Sequence, residues 1–173
     1  MSEVLVAQRS TPGLSTAAIA RLVALLLPIA LLAGALGSQY VGGLHPCEMC
    51  YWQRWPHGVA IVLAALAFTG PAELGRSRAL TLLAALAIAV SGAIGVYHAG
   101  VEAKIFEGFT QCTALPRAAS AAEMLKQITH APFVRCDEVQ FRFLGISMAG
   151  WNAILSLSGA ALILILTLRT KRA

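Results

Sequence analysis

The chain has 173 residues, of which 58% are hydrophobic and only 12% charged, with a mean hydropathy of +0.73. A soluble domain carries about 25% charged residues, and a core of this size cannot hide so much apolar surface, so the missing solvent is lipid. The net charge of +5 is spread along the chain as membrane-edge charge, which argues against a nucleic-acid patch.

Four apolar runs follow one another, from about Arg21 to Ser38, Tyr51 to Thr69, Ala79 to His98 and Ile146 to Leu168. Each is near the ~20 residues that cross a bilayer core, and lipid cannot satisfy the open edges of strands. The expected fold is an all-α membrane protein: a four-transmembrane-helix bundle forming a single domain over residues 1–173. Pro28 lies inside the first run, at a place where a membrane helix tolerates a kink. That run also has features of a cleavable leader, with Arg9 and Arg21 before it and Ala33-Gly34-Ala35 resembling a cleavage site. Cleavage there would leave three spans. The third run is rich in small residues, among them Ala84, Ala85, Ser91, Gly92 and Gly95, which let membrane helices approach closely.

Between the runs lie a loop over about 39–50, a short loop near Arg76 and Arg78, and a long loop over about 99–145. The long loop exceeds an ordinary structureless connection. Within it, Ala118–Thr129 reads as a short amphipathic helix. Met124, Leu125 and Ile128 fall on one side and Glu123, Lys126 and Gln127 on the other, suited to lying on a membrane or packing on the bundle. Orientation follows Lys and Arg. With four spans, both termini and the middle loop share a side that holds Arg9, Arg21, Arg76, Arg78, Arg169, Lys171 and Arg172. The opposite side holds Arg54 at a helix start, and Lys104, Arg117, Lys126, Arg135 and Arg142 diluted in the long loop. The density places both termini inside.

The four cysteines, Cys47, Cys50, Cys112 and Cys136, then share the outer, oxidising face. A Cys-x-x-Cys pair is redox-active, metal-binding or a structural staple. The short gap strains a disulfide, which suits a labile redox site better than a staple. Zinc would need two more ligands, with His45 and His57 the nearest, and no metal is expected. A helix starting at Trp55 would be too short to span, whereas one starting near Tyr51 reaches about 28 Å at 1.5 Å per residue. Cys50 then sits at a helix amino terminus, where the amide groups favour a thiolate. Arg54 follows one turn deeper on the same face. An arginine there is costly unless it has a partner or a job: a cation one turn from a thiolate would stabilise it and could bind a polar headgroup in the interface, while its plain reading is a snorkelling side chain beside the interfacial Trp52 and Trp55. His98 closes the third run at the same edge.

The run Pro46-Cys47-Glu48-Met49-Cys50-Tyr51-Trp52-Gln53-Arg54 resembles the signature of the DsbB family of disulfide-bond-formation proteins. Gly95-Val96-Tyr97-His98, then Glu102 and Cys112, fit the same pattern. So does Cys136 followed by Phe143-Leu144-Gly145-Ile146-Ser147-Met148 and Trp151-Asn152. The resemblance runs from about Gln39 to Trp151. The related vitamin-K-epoxide-reductase-like family places its loop cysteines before its Cys-x-x-Cys, whereas here they follow it.

The DsbB resemblance implies a thiol:quinone oxidoreductase of the bacterial inner membrane, with electron transport through four catalytic cysteines. A periplasmic DsbA-like thioredoxin-fold protein delivers electrons to a Cys112–Cys136 disulfide, with Cys112 in the mixed disulfide. The loop pair then exchanges with Cys47–Cys50. Cys50 contacts the ring of a ubiquinone or menaquinone, Arg54 holds the thiolate and the quinone headgroup, and His98 assists in binding it. The Ala-rich stretch between Cys112 and Cys136 is not diagnostic of a partner. The competing expectation is a four-span structural or interaction protein with inert loop disulfides. Thiol titration after mild reduction and reoxidation separates the two.

Overall fold

The computed structural model describes residues 14–108, 120–130 and 134–169. Its elements are α1 (Thr16–Tyr40), α2 (Glu48–Ala67), α3 (Gly75–Glu102), α4 (Ala121–His130), β1 (Arg142–Phe143), β2 (Ile146–Ser147) and α5 (Met148–Arg169). The long helices extend beyond several of the apolar runs, because caps and loop contacts rather than hydropathy set their ends. The Ser15 side chain accepts from Ala18 N–H and starts α1 ahead of Arg21. Cys47 does the same for α2, so that helix begins at Glu48 rather than near Tyr51.

Among the described residues α1, α3 and α5 are long and apolar enough to cross a membrane, and the chain is a multi-pass membrane protein. The 20-residue α2 is less apolar because Glu48, Gln53, Arg54 and His57 crowd its amino-terminal half. The bundle is built inside out relative to a soluble one. Large side chains such as Leu26, Val62, Leu86 and Ile165 face outward, while the interior is mostly alanine: Ala20, Ala24, Ala60, Ala64, Ala84 and Ala160, with Ile88 and Ile163. This is how helices associate when lipid is as apolar as leucine: small residues bring backbones close.

α3 packs against both α2 and α5, and α1 closes the bundle against α2 and α5. The α3–α5 contact depends on Gly95. A methyl group there would sit 3.0 Å from the Ala149 carbonyl oxygen and 3.1 Å from the Ala153 nitrogen, both backbone atoms. Arg21 binds α1 to the α2–α3 turn: its Nη1 donates to the carbonyls of Ala67 (3.0 Å) and Gly70 (2.8 Å), and its guanidinium lies 4.6 Å over the Phe68 ring. The charge that marked a membrane edge in the sequence thus also caps the end of α2.

Before α5 the chain makes a two-stranded hairpin, pairing Arg142 with Ser147 and Phe143 with Ile146. Leu144 (φ 51°) and Gly145 (φ 80°) both occupy the left-handed region, as a tight two-residue turn requires. Trp151 Nε1 donates to the Phe143 carbonyl at 2.9 Å and fixes the hairpin to α5. α4 overlaps the Ala118–Thr129 stretch that reads as an amphipathic helix, starting three residues later and ending one residue later, and the Ser120 hydroxyl accepts from Glu123 N–H at its start.

Candidate functional site: a buried thiol pair at one end of the bundle

The amino terminus of α2 positions the first two cysteines. Cys47 is its N-cap, with extended backbone, and its Sγ accepts from the Cys50 N–H at 3.3 Å. This local turn folds the two thiols onto each other, Sγ to Sγ 2.9 Å, and both are free. Cys47 is buried and Cys50 half-buried. The hydrogen bond between the two thiols, reinforced by burial, pushes the Cys47 thiol far up from its ordinary value. The shared proton therefore stays on Cys47, and the charge of an ionised pair falls on Cys50, within the first turn of helix amides.

α3 contributes the third member. His98 is buried, with Nε2 3.6 Å from Cys47 Sγ and Nδ1 2.8 Å from Gln53 Nε2. Glu102, one turn on, has a carboxylate oxygen 3.9 Å from the same Nε2. The donor atoms of Cys47, Cys50 and His98 lie within 4.8 Å of one another, a set that zinc accepts. The histidine beside the thiols is therefore His98, and not the His45 or His57 that sequence proximity suggested. Its tautomer opposes a metal. Gln53 Nε2 also donates to the Met49 carbonyl at 3.1 Å, so it is the amide nitrogen that faces His98 Nδ1. The imidazole then carries its proton on Nε2 and has no lone pair to offer an ion there.

The long loop returns to this site. Cys136 is disulfide-bonded and 1% exposed, and it packs in one apolar cluster with Cys47, Met49 and Val101. The His98 ring hydrogen-bonds its backbone. The next residue clasps the loop. Asp137 takes Lys104 Nζ at 2.5 Å and Arg135 Nη2 at 2.8 Å on one carboxylate oxygen. These two cations hold its carboxyl well below the usual carboxylate range. Gln140 donates to the His45 carbonyl at 2.7 Å, which joins the loop to the segment leading into Cys47. Cys112 lies outside the described residues.

Arg54 does not hydrogen-bond the thiols. Its Nη1 donates to Gln39 Oε1 at 2.5 Å and its Nη2 to the Ala35 carbonyl at 3.2 Å, both on α1, and its guanidinium lies 5.3 Å over the Tyr51 ring. It nevertheless shares a cavity with them. A space of about 900 Å³ opens beside Cys50, Arg54, His57 and His98 and is closed on its far side by α1 residues such as Leu31 and Gly34. A polar chain borders it. Gln53 Oε1 accepts from Asn152 Nδ2 (2.8 Å), while Asn152 Oδ1 lies 2.9 Å from His57 Nε2 and Ser91 Oγ 3.0 Å from the same nitrogen. Sequence reasoning gave Ser91 only a packing role, and Gln53 and Asn152 none beyond their place in the family pattern. Their signal was present, since Ser91 and Asn152 are polar residues inside apolar runs, where lipid penalises them.

A multi-pass bundle that buries a free Cys-x-x-Cys pair against a disulfide-bonded cysteine, beside a wide cavity, has the construction of a membrane thiol-redox protein. Residues 17–166 match the family model described as Disulfide bond formation protein DsbB, and the chain belongs to the DsbB family. It is similar to the Disulfide bond formation protein B of Methylococcus capsulatus (strain ATCC 33009 / NCIMB 11132 / Bath), at 36% identity over 139 residues, 77% of this chain and 83% of the relative. It is also similar to the proteins of that name from Shewanella sp. (strain MR-4), at 30% over 143 residues (80% and 79%), and Stutzerimonas stutzeri (strain A1501), at 29% over 138 residues (77% and 83%). No solved structure matches. As a member of this family the chain is a disulfide-formation protein, a membrane oxidoreductase.

Proposed function

We propose that the chain reoxidises a periplasmic DsbA-like thioredoxin-fold protein and passes its electrons, through Cys112/Cys136 and then Cys47/Cys50, to a membrane quinone. The carrying observation is the packing of disulfide-bonded Cys136 against the free Cys47–Cys50 pair, at the mouth of a cavity that runs down the bundle. In this reading α2 is a fourth span, residues 1–173 form one membrane domain, and α4 belongs to the periplasmic loop. Both termini lie in the cytoplasm, and the membrane is the bacterial inner membrane.

The exchange balances in two thiol–disulfide steps. A thiolate of the incoming dithiol attacks the Cys112–Cys136 disulfide. Cys136 is 1% exposed, so attack falls on Cys112 and Cys136 leaves as the thiolate. The donor's second thiol resolves the mixed disulfide, and two electrons now reside on Cys112 and Cys136. These thiols reduce the Cys47–Cys50 disulfide in the same way, and the loop disulfide re-forms. Cys136 packs with Cys47, so the loop thiol attacks Cys47 and Cys50 leaves as the thiolate, while His98, with Nε2–H toward Cys47, orients the sulfur under attack.

The cavity fits a quinone: its walls are largely apolar, one edge carries the Arg54 guanidinium as a donor for a ring oxygen, and Cys50 lies at its mouth. A quinone bound there supplies a two-electron, two-proton acceptor, either ubiquinone or menaquinone. Arg54 and His98 are the residues that would hold it, Arg54 already set by α1.

The test is turnover. Full-length protein in detergent, mixed with a reduced thioredoxin-fold oxidase and excess ubiquinone, should consume the quinone absorbance catalytically. Cys50→Ser should abolish this, and Arg54→Ala should slow it about tenfold to a hundredfold, the worth of a lost charge-assisted hydrogen bond. No turnover with ubiquinone or menaquinone, the cysteines staying oxidised throughout, overturns the proposal in favour of inert loop disulfides.

A further inference from the structure

The contact between His98 and Cys47 is the near end of a longer relay that crosses three helices. Asn152 on α5 begins it, with Nδ2 donating to Gln53 Oε1 at 2.8 Å. Gln53 on α2 continues it, with Nε2 2.8 Å from His98 Nδ1. His98 on α3 turns Nε2 to Cys47 Sγ at 3.6 Å, and Cys47 Sγ lies 2.9 Å from Cys50 Sγ. Gln53, His98 and Cys47 are all buried, so water competes little for these bonds.

Every link points the same way, because backbone carbonyls set both amides. Asn152 Nδ2 also donates to the Ser91 carbonyl at 3.2 Å, and Gln53 Nε2 to the Met49 carbonyl at 3.1 Å. Each amide therefore offers its nitrogen, not its oxygen, to the next member. His98 Nδ1 accepts, and Nε2 carries the proton toward Cys47. Cys47 keeps the proton of the ionised pair and in turn donates to Cys50. Four donors, from Asn152, Gln53, His98 and Cys47, are thus aligned head to tail, and the series ends on the sulfur that takes the charge.

Hydrogen bonds strengthen when their acceptor is charged, and bonds in series polarise one another. The singly ionised pair therefore gains more from the relay than the neutral dithiol does. We infer that Asn152 and Gln53 are positioning residues for the thiol pair: they fix His98 as a donor, and the aligned relay favours the thiolate form of the reduced protein. Other charges surround the pair, namely Glu48 and Arg54 on α2, Glu102 on α3, and Arg135 and Glu138 in the loop, while α1 and α5 line the cavity without any. Arg54 acts from a distance, its guanidinium engaged with Gln39 and the Ala35 carbonyl. These charges are common to every variant below, so a difference between variants reports the relay. The inference needs neither quinone nor soluble partner, and its failure leaves the electron path standing.

The test is the ionisation of the pair, which titrates as a unit. Full-length reduced protein in detergent, without quinone, is labelled with iodoacetamide over a range of pH, and mass spectrometry reads the rate at Cys50. Gln53→Met keeps the side-chain length but has no donor for His98. It should move the labelling midpoint up by about one pH unit, a roughly tenfold slower rate below the midpoint. Asn152→Leu removes the first link and should move it the same way by less. His98→Phe cuts the relay beside the pair, and in that background Gln53→Met should add nothing, because the links act in series. Nitrogen-15 spectra of histidine-labelled protein, with His98 assigned by difference against His98→Phe, should show its proton on Nε2 in the parent and divided between the ring nitrogens in Gln53→Met. Unchanged midpoints in both Gln53→Met and Asn152→Leu overturn the inference, as does an equal shift of Gln53→Met in the His98→Phe background. A parent His98 carrying its proton on Nδ1 overturns it as well, and this spectrum decides even where a variant fails to fold.

Discussion

Asp137 shows how one side chain holds the redox loop in place. Its carboxylate meets Lys104 from the end of α3 and Arg135 from the loop, and both cations lower its pKa. A carboxyl held below its unfolded value stabilises the clasp above that value, and the contribution fades as pH falls from the ordinary carboxylate range of about 4 toward the depressed one. The loop clasp should therefore be intact at neutral pH and loosen only below about pH 4. Hydrogen exchange of 134–140 should rise there, and Asp137→Asn should show the same rise at neutral pH. The thiol pair has its own asymmetry. Cys47 is buried and keeps its proton, so in reduced protein a small alkylating agent should modify Cys50 at least about tenfold faster at neutral pH. Mass spectrometry of the labelled peptide reads this directly, and faster labelling of Cys47 would contradict the assignment of the proton.

Elements meet here through backbone rather than through large side chains. Gly95→Ala would press a methyl onto backbone atoms of α5 that cannot rotate away. It should cost about 1–3 kcal/mol, seen as a lower thermal midpoint in detergent. It should also disturb quinone turnover, since Asn152 Nδ2 lies 3.1 Å from the same methyl position. Arg21→Met keeps the side-chain length but removes the donor that caps the carbonyls of Ala67 and Gly70. A loss of about 2–3 kcal/mol is expected from the same melt, with the thiol end unaffected. Both residues show what hydropathy can reveal. Runs of apolar residues disclosed the long helices, because length in lipid is a one-dimensional property. The start of α2 was misplaced by a turn because Cys47 caps it through its own sulfur, an unusual cap that no Ser, Thr, Asp or Asn announces. Arg21 read only as topological charge, since its acceptors are carbonyls more than forty positions away.

Over the whole molecule, the same logic separates what was readable from what was not. Cys47, Cys50, Arg54 and His98 were singled out from spacing and resemblance, and all four line one cavity. The polar chain through Gln53, Asn152, Ser91 and His57 was hidden because it joins α2, α3 and α5, and its geometry exists only after packing. That Arg54 turns toward α1 was hidden for the same reason. The arrangement puts Cys47, Cys50 and Cys136 at one end of the bundle and Arg21, Arg76 and Arg78 at the other. Membrane-impermeant thiol reagents applied to intact, reduced spheroplasts should label the thiol end. A reporter fused after Ala173 should stay protected. Labelling only after lysis would reverse the orientation.

The clasp and the hairpin together set a tether. The stretch from Cys136 to Arg142 can extend no further than about 20 Å at ~3.4 Å per residue, and Gln140 and the Asp137 cluster shorten it. Cys136 can thus never diffuse far from Cys47. On the proposed electron path, exchange between the two pairs would run at a high local concentration set by this leash and not by how much protein the membrane holds. If the chain works as proposed, the internal step should be first-order and indifferent to dilution, while capture of the soluble dithiol alone would carry the dependence on concentration.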